Sequence, residues 1–234
     1  MKPIIRWTIG PSSKLGFLSL RLSVFWAKKL FGRDFDYAIC HNNLSKEEVL
    51  NLPSVDILID QKEYVGIYGD LEPCGPAWKL YPPRLRKDAK EICLDNDLIL
   101  YSRPAEIDDF MNHDIFLITE SYKRSYHGIL QHLIKENFNI NSGFVCLPAG
   151  YDYEVEIRNT IISHNILWDD HFSEQTLVAY ILFNKNTIII PLKKINVCFD
   201  KVTIGECGVH LVGVNKKLTT DAENLLGRQL VLFS

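Results

Sequence analysis

The sequence predicts an α/β protein with a mostly parallel central sheet and helices on both faces, Rossmann-like in plan. Three observations carry that expectation. Short β-rich apolar runs alternate with segments of helical spacing along most of the chain, and strands alternating with helices build parallel sheets covered by those helices. The 234 residues are 47% hydrophobic and 24% charged, enough for a sizeable core in one large domain. No internal repeat, low-complexity tract or linker divides the chain, so a single domain over 1–234 is expected.

Pro3–Ile9 is a short β-rich run ended by Gly10-Pro11-Ser12-Ser13. Leu15–Phe31 has apolar residues at helical spacing, closes on basic Lys28-Lys29 and stops at Gly32, a C-cap residue type. Phe35–Cys40 reads as the second strand. Ser45 and Glu48 have the spacing of a capping box that opens a short helix over Lys46–Leu52. Val55–Ile59 is a third strand, ending at Asp60. Gln61–Gly75 reads as loop, and Pro76–Arg86 as a helix that Pro82-Pro83 keep short. Glu91–Leu100 is expected to be the central strand. Glu106–Met111 follows as a helix, Ile115–Thr119 as a strand and Gly128–Glu136 as a helix. The turn-like Asn139-Ile140-Asn141-Ser142-Gly143 leads into a strand over Phe144–Leu147. Helices over Tyr153–Ser163 and Glu174–Phe183 precede a strand over Thr187–Pro191. Lys194–Lys217 is strand and loop, and Asp221–Gly227 a last helix.

The net charge is −3, with no basic excess to attract nucleic acid and no acidic tail. Phosphate binding by such a chain has to be local. The six cysteines include no Cys-x-x-Cys pair, which argues against a structural zinc site. Cys40, Cys93, Cys146 and Cys198 sit in apolar runs and read as reduced core thiols of a cytoplasmic protein. Met1–Gly10 lacks the apolar stretch of a signal peptide. No apolar run reaches the roughly 18 residues of a membrane span.

The chemistry concentrates within Glu91–Leu100. Asp95 and Asp97 interrupt an apolar run at spacing i, i+2, which is one face of a strand. A charge taken out of water needs a partner or a metal. The two carboxylates converge if the strand continues through them, and a bend after Asp95 would also bring them together. Hard oxygen donors suit Mg²⁺ or Mn²⁺, which in turn hold phosphates. Asp-Asn-Asp is also an ordinary turn sequence, and the segment alone leaves both readings open. In open α/β sheets ligands bind beyond the carboxyl ends of the strands. Thr8–Ser13, His41-Asn42 and Asp60 belong to the same rim as Asp95 and Asp97.

The order of motifs resembles the GT-A fold glycosyltransferases that use nucleotide sugars, those related to glycogenin and the lipopolysaccharide galactosyltransferases. The resemblance rests on Ala77-Trp78-Lys79-Leu80, Leu94-Asp95-Asn96-Asp97, Asn141-Ser142-Gly143-Phe144, Ser173-Glu174-Gln175 and His210-Leu211-Val212-Gly213, in that order over most of the chain. It implies a metal-dependent enzyme moving a sugar from a nucleotide-diphospho-sugar, a UDP-sugar, to a hydroxyl of a glycan, lipid or protein acceptor. By the same resemblance, Asp95 and Asp97 match the Asp-x-Asp motif that holds Mn²⁺ or Mg²⁺ on the diphosphate. His210 matches the histidine that completes the metal shell. Lys79, and Lys216 or Lys217, would be cations toward the sugar or phosphates. Thr8, Ile9 and Gly10 match the region that contacts the base, with Asp60 or Gln61 beside them. Asn96, Asn141, Ser142 and Gly143 fall on the donor side.

Glu174 would act near the reacting carbon, as general base for the acceptor hydroxyl or as a sugar ligand, with Asp169 and Asp170 competing for the role. Ser173 and Glu174 also suit the cap and first turn of a helix. After His210, Val214-Asn215-Lys216-Lys217 stands where glycogenin-like enzymes end in Lys-Pro-Trp. Two other functions are compatible with this fold. One is a sugar-phosphate nucleotidyltransferase, for which Gly10–Gly16 is a faint echo of a triphosphate-binding loop. The other is a nucleotide-sugar-binding domain without catalysis. Cys207, near His210, offers a softer metal ligand, and Lys123-Arg124 with Tyr122 and Tyr126 are candidates for acceptor contact.

Overall fold

The computed structural model describes residues 1–122, 126, 128–135, 138–168, 173–198, 202–212, 221 and 224. The described strands are β1 (Ile4–Ile9), β2 (Asp36–His41), β3 (Ile57–Asp60), β4 (Glu91–Asp95), β5 (Leu98–Leu100), β6 (Phe116–Glu120), β7 (Ile140–Leu147), β8 (Thr187–Ile190), β9 (Ile195–Val197) and β10 (Gly208–His210). Seven of them form one sheet in the order β3-β2-β1-β4-β7-β6-β8, and the other three form a small sheet in the order β5-β10-β9. In the large sheet β1 runs parallel to β2 and β4, β2 to β3, and β6 to β8; β7 alone runs against its neighbours β4 and β6.

Alternation along the strands gives the sheet two separate cores. Ile5, Trp7, Ile9, Ile92, Leu94, Phe144 and Cys146 face one side. There they meet helix α1 (Lys14–Phe31), through Leu20, Val24, Ala27 and Phe31. That spacing is a single helical stripe. Ser13 caps α1 by accepting from the Gly16 N–H, and Gly32 ends it with a positive φ of 61°, a conformation that favours glycine. The capping box of Ser45 and Glu48 opens the one-turn α2 (Lys46–Leu50) as expected. Helix α3 (Ala105–Asn112) joins the α1 side through Ile107 and Phe110. Val145 and Leu147 face the other side, where they pack with α4 (Tyr153–His164) and α5 (Ser173–Phe183). No described helix is long and apolar enough to cross a membrane.

The structure corrects four expected elements. Glu91–Leu100 is not one strand: β4 stops at Asp95, a turn follows, and β5 pairs with β10 in the second sheet. The turn is anchored where Asn96 Nδ2 donates to the Gly16 carbonyl on α1, 3.4 Å away. Residues 140–143 belong to β7 and are not a turn. Their polar composition serves a register shift against β6 between Ile118 and Thr119, a bulge of the kind that re-aims side chains beside active sites. Within Gly128–Glu136 the described helix is only a 3-10 turn over Gln131–Leu133, after Gly128 at φ 75°. The segment expected as a helix over Pro76–Arg86 is a 3-10 turn, Gly75–Leu80, ended by the proline pair. The expected last helix lies outside the described residues apart from Asp221 and Asn224.

Candidate functional site

Register places the site. Thr8 lies opposite Cys40 and Asp95, and His41 opposite Asp60, so β1, β2, β3 and β4 end on one rim. Beyond that rim lies a cavity of about 650 Å³ whose lining includes Gly10, Asn42, Lys79, Asp95, Asp97 and His210. Thr8, Ile9 and Asn96 line it as well, and Trp78 forms part of its wall.

Asp95 ends β4, and Asp97 follows in the turn. Pairing of β10 with β5 sets His210 against Leu98, and the Leu211 N–H donates to the Asp97 carbonyl at 3.0 Å. This cross-sheet pairing carries His210, 113 positions downstream of Asp97, to the acidic turn. His210 Nε2 lies 3.4 Å from Asp95 Oδ2 and 3.2 Å from Asp97 Oδ1. One potential ligand atom from each residue lies within 4.8 Å of the others. Burial alone would lower the His210 pKa, but hydrogen bonds and charge from Asp95 and Asp97 outweigh it and raise it to about 9. Burial likewise opposes ionisation of Asp95, yet Lys79 and His210 hold it well below the usual carboxylate range.

Two carboxylates and an imidazole fit a hard or borderline divalent cation. His210 is 2% exposed and its Nδ1 has no hydrogen-bond partner among the described residues, which leaves Nε2 as the ring atom committed to the acidic pair. Gly143 explains how the ring fits. A Cβ there would stand 2.1 Å from His210 Cε1, so only glycine lets the strand and the imidazole touch. Cys207 is buried and is not part of the three-residue ligand group.

Lys79 Nζ is 2.8 Å from Asp95 Oδ1 and 3.7 Å from Glu174 Oε2. Ser142 Oγ donates to Glu174 Oε2 at 3.0 Å. Burial, the largest influence, pushes the Glu174 carboxyl up to about 7 against the opposing pull of Lys79. Burial lowers the Lys79 pKa, but Asp95 and Glu174 more than reverse this and keep the ammonium charged. Ser142 thus touches Glu174 and, at 3.4 Å, Lys79 by its side chain, whereas Asn141 turns back to accept from the Gly143 N–H at 2.8 Å. Ser142 and Glu174 are buried behind Lys79 and are not among the cavity-lining residues.

Asp60 is placed differently from its expected role. It is exposed, caps a short turn by accepting from the Lys62 N–H at 3.0 Å, and is not among the cavity-lining residues. Its neighbour Gln61 points inward instead, and Asn42 Nδ2 donates to its Oε1 at 2.9 Å. Asp169, Asp170, Lys123, Arg124, Lys216 and Lys217 lie outside the described residues. Asn42 was visible as a polar residue at a strand end; its place in the cavity needed the pairing of β2 with β1, where its N–H donates to the Ile9 carbonyl at 3.1 Å.

The seven-stranded, mostly parallel sheet with helices on its faces matches the GT-A fold of known glycosyltransferase structures. No family model matches the sequence, and no curated protein does. Solved structures do. An active-site glutamine-to-glutamate mutant of the protein LgtC aligns over 94% of this chain and 95% of its own, with TM-score 0.61 and 7% identity. The galactosyltransferase LgtC in complex with donor and acceptor sugar analogues aligns over 93% and 94%, with TM-score 0.57 and 8% identity. The apo form of mouse xyloside xylosyltransferase 1 aligns over 86% and 89%, with TM-score 0.54 and 10% identity.

Proposed function

We propose that this chain is a metal-dependent glycosyltransferase that transfers a sugar from a nucleotide-diphospho-sugar, a UDP-sugar, to an acceptor hydroxyl. The observation that carries the reading is the Asp95–Asp97–His210 group opening onto the strand-end cavity beside Lys79. A galactosyltransferase of the same fold, bound to donor and acceptor sugar analogues, supports it.

Asp95, Asp97 and His210 would hold Mn²⁺ or Mg²⁺, which when bound supplies positive charge for a diphosphate leaving group. Thr8, Ile9, Gly10 and Asn42, which line the cavity, would contact the base, and Gly10, having no side chain, would let a ligand approach the backbone. Lys79 adds a second, fixed cation and orients Glu174. Glu174 is the candidate proton acceptor for the attacking hydroxyl. Ser142 donates to its carboxylate and fixes its direction, and burial pushes that carboxyl up to about 7, which makes it a better proton acceptor than an ordinary carboxylate. Asp170 and Lys216 stay candidates on the sequence resemblance alone.

Calorimetry of UDP in the presence and absence of Mn²⁺, followed by UDP-sugar hydrolysis, tests this. Binding that requires both metal and Asp95 is expected. No binding by the wild type, or the same binding by Asp95→Ala, overturns the reading. Pyrophosphate release from UTP and a sugar phosphate would instead make it a nucleotidyltransferase.

A further inference from the structure

A second charged pair lies on the same face of the sheet, outside the cavity lining. Arg6 on β1 and Glu91 on β4 are 3% and 0% exposed, with Arg6 Nε 2.8 Å from Glu91 Oε1. Nε also donates to Cys93 Sγ at 3.2 Å, and both Nη atoms donate to one stretch of backbone. Nη1 donates to the Pro82 carbonyl at 2.8 Å, and Nη2 to the Lys79 and Pro83 carbonyls at 3.1 Å each. Glu91 Oε2 takes the Leu85 N–H at 3.0 Å. Gln61, 1% exposed, donates to the Trp78 and Tyr81 carbonyls at 2.5 and 2.7 Å. The stretch needs such anchors: Pro82 and Pro83 have no N–H, so it cannot join the sheet as a strand.

We propose that Arg6 is a positioning residue, which sets the Lys79 ammonium at Asp95 by clamping the backbone that carries it. The guanidinium fork suits this task because it reaches several carbonyls in one plane while Glu91 balances its charge. The consequence for donor binding rests on the reading of Lys79 as a phosphate- or sugar-side cation. The clamp itself does not.

Arg6→Lys keeps a charge beside Glu91 but cannot span the same carbonyls. UDP with Mn²⁺ should bind this variant about tenfold more weakly than wild type. In a Lys79→Ala background the same change should alter binding by about twofold or less, because residues acting through one another are not additive. Equal losses in both backgrounds overturn the proposal. Hydrogen exchange over 76–81 in the ligand-free protein gives a readout without nucleotide, since the Ala77 and Tyr81 amides are hydrogen-bonded there. Exchange should quicken in Arg6→Lys but not in Ile107→Ala, a cavity variant in the opposite core. Unchanged exchange at 76–81 overturns the clamp even if UDP binds. If wild type binds no UDP, the functional reading falls and exchange alone decides the clamp. Should Arg6→Lys not fold, the Arg6→Met, Glu91→Leu pair takes its place in both measurements, with the same deciding outcomes.

Discussion

Strand β4 carries two carboxylates on one face of the sheet, Glu91 at its start and Asp95 at its end. Glu91 is fully buried and matched by Arg6 and the Leu85 amide. Asp95 is partly open to the cavity and has cationic partners on two sides, Lys79 and His210. The difference lies in what surrounds each group. Glu91 meets donors from its own chain in a closed space, so the pair acts only by holding the chain around it in place. Asp95 shares His210 with a second carboxylate, Asp97, beside an open volume, an arrangement that invites a cation.

Substitutions can break that contrast. Glu91→Gln leaves Arg6 buried without its counter-charge and is expected to lower stability by about 3–5 kcal/mol in urea unfolding. A loss near zero would mean that the pair is not structural. Asp95→Asn should change stability by only about 1 kcal/mol, yet slow sugar transfer about a thousandfold in a donor-turnover assay. If the two variants exchange phenotypes, the contrast is wrong. Gly143→Ala sharpens it from the histidine side. Its Cβ would displace His210, and Mn²⁺ affinity should fall about 10- to 100-fold by titration.

The pH dependence follows from His210. Its folded pKa, about 9, lies above the ordinary 6.5. The stability that its proton lends the metal-free protein is therefore fully present below about 6.5 and is lost as pH rises through about 9. Metal must displace that proton, so Mn²⁺ affinity should climb with pH toward 9, at most about tenfold per unit. A flat profile would remove His210 from the ligand set. The smallest effect expected is that of Gly10→Ala. Its Cβ would lie 2.9 Å from Oδ1 of Asn42, a buried side chain held by Gln61 that must shift at the cavity wall, so UDP affinity should drop a few-fold while metal affinity stays unchanged.

Much of the fold was legible in the chain. Helix α1 ended at Gly32 and the capping box opened α2 because caps and helical stripes are local signals. The polar stretch at 139–143 misled. Asn, Ser and Gly favour turns, and only pairing with β6 shows that they form a bulged strand. Glu91 and Arg6 gave no sequence signal as partners, because they lie 85 positions apart and meet through β1–β4 pairing.

By itself the sequence determined the alternation of strands and helices, the polar strand ends and the acidic Asp95-Asn96-Asp97 segment. Those properties depend on residues within a few positions of one another. Only the tertiary structure decided that β4 stops at Asp95, that Gly143 makes room for His210, and that Asp60 faces solvent while Gln61 turns inward. Each of these rests on strand register and packing between distant segments, which local periodicity does not encode.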